Sequence, residues 1–276
     1  MAPGAVPSGP HACEPAGGKL IVDAPADGVA RLTISNPAKR NALDHPILDA
    51  LTEALASLTE ARCVIVTGAD AMFSAGYDIG EIPDETFAEQ AEGLVAHPFT
   101  HALEALEAHP YPTVAALPGH TIGGGLELAL SCDMRVAAAG IRLGMPPAKL
   151  GLVYSHTGLR KFIDAVGVPR TRELFLLGRN IDAARALDWG LVNQVVDAEE
   201  LERSSLELAQ ALAANAPLSL RGNKRIINEI LTARAALEPG LERELIALRE
   251  ASFSSHDMRE GVRAFAEKRP PRWRAE

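Results

Sequence analysis

Apolar positions early in the chain fall in short β-rich runs, and later ones repeat at helical spacing. KLIVD (19–23) and GVARLTI (28–34) are separated by APAD, a break of the kind that joins hairpin strands. After the loop NPAKRNAL, Asp44 is placed to cap a helix, Pro46 suits its first turn, and Ile47, Leu48, Leu51, Leu55 and Leu58 share one face. CVIVTG (63–68) is brief, apolar and β-branched, which predicts a buried strand of a parallel arrangement. A helix is expected to end near His109; PTVAALPG (112–119) then supplies a second buried strand running into TIGGGLELALSCD, and MRVAAAG (134–140) a third. Beyond these the patterns are helical: SHTGLRKFIDAVG, PRTRELFLLGR, AARALDWG, and three longer patterns from Ala198 to Lys268.

This order predicts a flexible N-terminal tail over 1–18, an α/β core over 19–200 and a helical C-terminal region over 201–276. A chain of 276 residues can bury a large core without disulfides or metals. The net charge of -9 removes nucleic acid as a default partner, because phosphate-binding surfaces need an excess of Lys and Arg. The first residues lack the apolar segment of a signal peptide, and no stretch approaches the roughly 20 apolar residues needed to span a bilayer, so the expectation is a soluble protein with no membrane partner. Cys13, Cys63 and Cys132 are odd in number, and the last two sit in apolar runs, which predicts free thiols and a cytoplasmic location. The histidines and cysteines form no C-x-x-C or H-E-x-x-H cluster, so no metal is expected. G-x-S-x-G is absent too, which leaves Ser74 without the context of a nucleophile.

Two glycine-rich loops carry the candidate chemistry. In SAGYDI, Gly76 permits a turn closed to bulkier residues and frees the N–H of Tyr77 to face a pocket. In HTIGGGLELAL, the N–H groups of Gly124 and Gly125 open an apolar helix, where the dipole favours negative charge. Either loop alone is more often just a tight connection. Together they offer two main-chain donors for a developing oxyanion, which suits a thioester enolate. Nucleotide-binding glycine motifs do not match.

NPAKRNALD (36–44), FSAGYDIGEI (73–82), GHTIGGGLELALSCDMRVAA (119–138), LGMPPAKLGL (143–152), AARALDWGLVNQVV (183–196) and AFAEKRPPRW (264–273) give the chain its likeness. It resembles the crotonase (enoyl-CoA hydratase/isomerase) superfamily over nearly everything after the tail. The resemblance implies a crotonase-like spiral of ββα units, a helical C-terminal trimerisation region giving a homotrimer or homohexamer, and an acyl-CoA substrate. Coenzyme A would then be part of that substrate, with no separate cofactor. Matched by position, Tyr77 and Gly124 look like the oxyanion-hole pair; Ala75, Asp78 and Ile79 lie where the family's backbone holds adenine and pantetheine; Arg40 and Lys268 are candidates for the coenzyme A phosphates. Glu127 matches the first of two glutamates that family hydratases use, whereas the second position is Pro147. Tyr154, in PPAKLGLVYSHTG, looks like a tyrosine of methylmalonyl-CoA decarboxylase-like members.

The leading expectation is hydration of a 2-enoyl-CoA with Glu127 handling the proton. The alternatives are decarboxylation of a malonyl-CoA-type substrate and, in another class, a non-catalytic acyl-CoA-binding protein. Structural readings stand beside these: Glu127 as a complement to the helix dipole, Tyr154 as a packed ring, and His120 and His156 as lone structural histidines. Residues 83–108 are expected to form one wall of the acyl pocket.

Overall fold

The computed structural model describes residues 14–78, 93 and 98–275. Among the described residues ten strands form two sheets. The larger has the order β1-β2-β3-β5-β7-β10, built from Leu20–Ala26, Val29–Ile34, Cys63–Gly68, Thr113–Leu117, Met134–Ala138 and Gln194–Val196. The smaller has the order β4-β6-β8-β9, from Met72–Ser74, His120–Ile122, Arg142–Gly144 and Ile181–Asp182. β1 and β2 pair antiparallel as the predicted hairpin, and β2, β3, β5, β7 and β10 are parallel. In the smaller sheet β4, β6 and β8 run parallel and β9 antiparallel.

The chain repeats one course. β3 lies in the large sheet and β4 in the small one, and helix α2 (Thr100–Ala108) follows; β5 and β6 repeat the step before α3 (Gly124–Ser131), and β7 and β8 begin it again. This is the spiral of ββα units that the motifs imply. Strands β3 and β5 are almost wholly buried, as expected of strands covered on both faces.

Helix α1 (His45–Ser57) starts where the capping pattern places it: the Asp44 side chain accepts the Ile47 N–H at 3.1 Å, and Ile47, Leu48, Leu51 and Leu55 are buried. Each such side chain contributes about 1.5–3 kcal/mol of gross transfer free energy. The ordered chain begins before Lys19. Ala16–Gly18 form a single 3-10 turn with Gly17 and Gly18 at positive φ, and the Leu20 N–H bonds the Pro15 carbonyl, so the expected tail is already structured at its end. The rest of the predicted tail, residues 1–13, lies outside the described residues.

The C-terminal third holds four helices instead of three long patterns. After α4 (His156–Arg172) and α5 (Ala183–Asp188) come α6 (Leu201–Ala213), α7 (Pro217–Arg234), α8 (Pro239–Ser254) and α9 (His256–Ala266). The extra break falls at Ser255, whose hydroxyl accepts the Met258 N–H at 3.0 Å and starts α9 as an N-cap. Helix α6 lies against β3, β5 and β7 through Leu201, Ser205, Ala209 and Ala213, spaced four apart on one face. Helix α7 is held by polar pins: Lys224 Nζ donates to Asp133 Oδ2 at 2.7 Å and to the Tyr111 and Leu106 carbonyls at 3.1 and 3.3 Å, and Asn228 Nδ2 donates to the Glu107 carbonyl at 2.9 Å.

Helices α8 and α9 fold back onto the loop that follows Pro147. Phe253 and Met258 cluster with Leu150, Leu152 and Tyr77. A Cβ on Gly151 would meet the Asp257 backbone at 2.6 Å, and one on Gly261 the Leu150 backbone at 2.5 Å, so both positions admit only glycine at this approach.

Candidate functional site

The two glycine loops meet. Gly76, at φ +94°, turns the chain so closely against the second loop that a Cβ there would lie 3.0 Å from the Ile122 carbonyl oxygen and 3.1 Å from the Gly124 nitrogen. A Cβ on Gly124 would fall 2.8 Å from the Tyr77 ring, and one on Gly125 2.7 Å from Ser74. Glycine at these positions is a requirement of contact between the two segments. Leu43 bridges the first loop from its other side, its N–H bonding the Gly76 carbonyl and its carbonyl accepting the Asp78 N–H. Those bonds flank Tyr77 and leave its own N–H unused by the bridge. Gly124 opens α3 behind Gly123, whose φ of +57° and ψ of -128° belong to glycine alone, so the Gly124 N–H is one of the donors without an intrahelical acceptor. Two main-chain amides thus border the contact between the two loops.

Glu127 lies three residues into the same helix, where every turn is apolar, and it is 2 % exposed. Tyr154, 9 % exposed, donates its hydroxyl hydrogen to Glu127 Oε2 at 2.5 Å. The Tyr77 hydroxyl stands close enough to Tyr154 to interact with it, so three acidic side chains share one buried cluster. Burial pushes the Glu127 carboxyl up from its ordinary value, while Lys161 and the Tyr154 hydroxyl pull it down. Burial and the adjoining Glu127 charge push both phenols well above the usual tyrosine range. Lys161 belongs to a supporting arrangement behind Glu127: its Nζ donates to Ser131 Oγ at 2.9 Å and pairs with Glu107 at 2.6 Å.

The aromatic rings are fixed edge to face, Tyr77 on Phe99 at 4.7 Å and Tyr154 on Phe175 at 5.2 Å between centroids. Gly158 makes the Tyr154–Glu127 approach possible, since a Cβ there would lie 2.6 Å from Tyr154 Cε1 and 2.8 Å from Glu127 Oε1. Pro147 is buried and starts a 3-10 turn, so the position of the family's second glutamate holds a group that transfers no proton.

Of the other residues singled out from the sequence, Arg40, Ala75 and Asp78 come together. The Arg40 carbonyl accepts the Ala75 N–H at 3.1 Å, and Asp78 pairs with Lys39 at 2.8 Å. Arg40 takes φ +53° and its side chain is exposed. Lys268 is exposed at the exit of α9 with φ +54°, and makes no hydrogen bond or ion pair with Arg40, Ala75 or Asp78. Ile79 lies outside the described residues, as does most of the wall expected over 83–108; its described part, from 98, places Phe99 beside Tyr77. His120 accepts the Arg142 N–H and His156 faces Glu242 at 3.6 Å. Sequence reading did not find Gly158, Lys161, Ser252 or Arg249 of α8. Only Gly158 carried a signal, as a glycine one turn after a tyrosine whose ring needs room.

A fold of ββα units whose two glycine loops meet beside a buried carboxyl is that of the crotonase superfamily. The family model for enoyl-CoA hydratase/isomerase matches residues 25–276, and the chain belongs to that family. It is 35% identical over 257 residues to the mitochondrial enoyl-CoA hydratase domain-containing protein 2 of Bos taurus, covering 90% of this chain and 85% of that one. It is 34% identical over 246 residues to the short-chain-enoyl-CoA hydratase of Clostridium acetobutylicum, covering 87% and 92%. Among solved structures, a methylmalonyl-CoA decarboxylase in complex with 2-nitronate-propionyl-CoA superposes with a TM-score of 0.85 at 29% identity, covering 94% of this chain and 99% of that one.

Proposed function

We propose that the protein decarboxylates a malonyl-CoA-type thioester. The observation that carries this reading is the pairing of Glu127 with Tyr154 where the second family glutamate is Pro147. Hydration of an enoyl thioester asks one group to take a proton from water while a proton is delivered to Cα, and the usual division of that work between two carboxylates is missing here. Decarboxylation asks less. The thioester oxygen sits between the N–H groups of Tyr77 and Gly124; the bond from Cα to the carboxylate breaks, its electron pair passes into the enolate, and carbon dioxide leaves. The donors stabilise the charge as it reaches the oxygen, an effect worth about 2.7–4 kcal/mol per donor. Glu127, kept protonated more readily by burial, then delivers a proton to Cα through the Tyr154 pair and regains one from solvent.

A second reading, hydration of a 2-enoyl-CoA, is favoured by Glu127 at the family's first glutamate position and by the hydratase names of the curated relatives. In it Glu127 takes the proton from water and returns it to Cα. The two readings separate in one experiment: carbon dioxide release from methylmalonyl-CoA, with no loss of conjugated-thioester absorbance from crotonyl-CoA, supports decarboxylation, and the reverse overturns it. Binding of both thioesters with neither converted makes the protein a non-catalytic acyl-CoA binder.

In the proposed complex Ala75 and Asp78 lie along the adenine and pantetheine, and Arg40 and Lys268 meet the phosphates, with coenzyme A as part of the substrate and no separate cofactor. The assembly is a homotrimer or homohexamer. Ile226, Ile227 and Ile230 support that, since they leave an apolar stripe on α7 more than half exposed in the single chain; sedimentation at micromolar concentration tests it. A cytoplasmic location is supported by the buried free thiols of Cys63 and Cys132.

A further inference from the structure

Arg62 and Arg249 each have a buried Nε without a hydrogen-bond partner, but Arg62 donates through Nη2 to the Asn215 carbonyl, whereas the Arg249 side chain makes no hydrogen bond to a described residue. Nor does the Arg249 side chain make an ion pair with a described residue. Arg31, Arg185, Arg203 and Arg269 all pair with carboxylates. A guanidinium keeps its charge at every working pH, and a buried donor left unfilled is unfavourable, so this group is arranged at a cost the resting chain does not recover.

Its position on α8 says where it points. Phe253, four residues on, is 3 % exposed and packs with Tyr77, Leu150 and Leu152. Ser252, three residues on, accepts the Val153 N–H at 3.1 Å. Residues three and four apart share a helix face, so Arg249 sits over the same loop, one turn before Phe253. Its charge is felt at the Tyr77 hydroxyl, which lies beside Tyr154 and Glu127.

We infer that Arg249 recognises a carboxylate carried by the acyl group of the bound thioester. This rests on the reading of the site as an acyl-CoA site and narrows the substrate to acyl groups with a free acid. A neutral acyl chain offers the guanidinium nothing, whereas a carboxylate supplies charge-assisted hydrogen bonds in the paired geometry that arginine favours. During decarboxylation the charge moves from that carboxylate to the thioester oxygen and neutral carbon dioxide departs. Arg249 therefore holds the bound substrate more tightly than the transition state, so its removal raises KM without lowering kcat. It is a specificity residue.

The test uses two thioethers that lack the thioester carbonyl and so form no enolate: S-(2-carboxypropyl)-CoA and S-isobutyl-CoA, identical but for a carboxylate in place of a methyl group. Calorimetry with the full chain is expected to show the acid bound about tenfold or more tightly than the isobutyl compound, the ratio expected of one charge-assisted hydrogen bond. Arg249→Met removes that preference and leaves isobutyl affinity within about twofold, while Arg249→Lys, which keeps the charge and loses the fork, retains part of it. The melting temperature of Arg249→Met should not fall, because an unpartnered buried donor has been removed; should that variant not fold, the reduced preference of Arg249→Lys carries the test. Equal affinity for the two compounds in the wild-type protein, or an undiminished preference in either variant, overturns the assignment. A preserved preference without carbon dioxide from methylmalonyl-CoA leaves Arg249 assigned and removes only the decarboxylation reading. Failure to bind either thioether overturns both.

Discussion

Replacing Tyr154 with phenylalanine isolates one hydroxyl. The ring keeps its edge contact with Phe175 and its burial, and the bond of 2.5 Å to Glu127 Oε2 is lost. A hydrogen bond to a charged group contributes about 1.5–3 kcal/mol. The loss falls on the ionised form of Glu127, whose remaining surroundings are dominated by burial, so its carboxyl moves further up. The sign for stability follows. A carboxyl raised on folding binds its proton more readily in the native state, so its contribution to stability is fully present below the unfolded value near 4.5 and is lost as pH rises through the native one. Tyr154→Phe widens that interval, and its deficit is expected to be small at pH 4.5 and to grow toward about 1.5–3 kcal/mol at pH 8. Urea midpoints at the two pH values measure it, and a carbon-13 titration of Glu127 locates the carboxyl directly. If proton delivery passes through this pair, turnover should fall by about 10- to 100-fold. A deficit equal at both pH values, together with an unmoved Glu127 titration, would refute the electrostatic coupling and leave Tyr154 a packed ring.

Other substitutions probe separate parts of the site and its support. Gly158→Ala places a methyl group 2.6 Å from the Tyr154 ring and 2.8 Å from Glu127 Oε1; turnover should drop by at least about tenfold while far-ultraviolet circular dichroism stays unchanged. Gly124→Ala pushes against the Tyr77 ring at 2.8 Å and should lower kcat by about 10²–10³-fold through the displaced amides, read from steady-state kinetics. Lys224→Met strands Asp133 and two carbonyls under α7 and should cost about 2–3 kcal/mol in chemical denaturation, the lower range for a broken pair because Asp133 is partly exposed. His109, held down at about 4 first by burial and then by the Lys224 charge, is neutral in the native state. Its contribution to stability is complete above the unfolded value near 6.5 and lost as pH falls toward 4, so His109→Gln should flatten the melting temperature against pH over that interval.

Local chemistry carried much of the fold into the sequence. The Asp44 cap and the one-sided α1, the β-branched runs of β3 and β5, and the glycines at 76 and 123 are each set by neighbours within a turn or a strand, through helical period, side-chain branching and the positive φ that only glycine takes easily. Periodicity is weaker as a guide where one helical run follows another without a glycine or proline. The break at Ser255 escaped for that reason, since the serine caps the next helix without interrupting the apolar pattern.

Local chemistry along the chain dictates which segments become strands and helices, and which two loops have main-chain amides to spare. Tertiary structure decided the rest. Tyr154 reaches Glu127 across 27 residues, and Arg249 overlies a loop nearly a hundred residues before it, because two sheets and a returning helical pair stack those segments in space. A short range of residues encodes its own period and turns; it carries no record of the distant side chain that will lie against it, and proton chemistry depends on that neighbour.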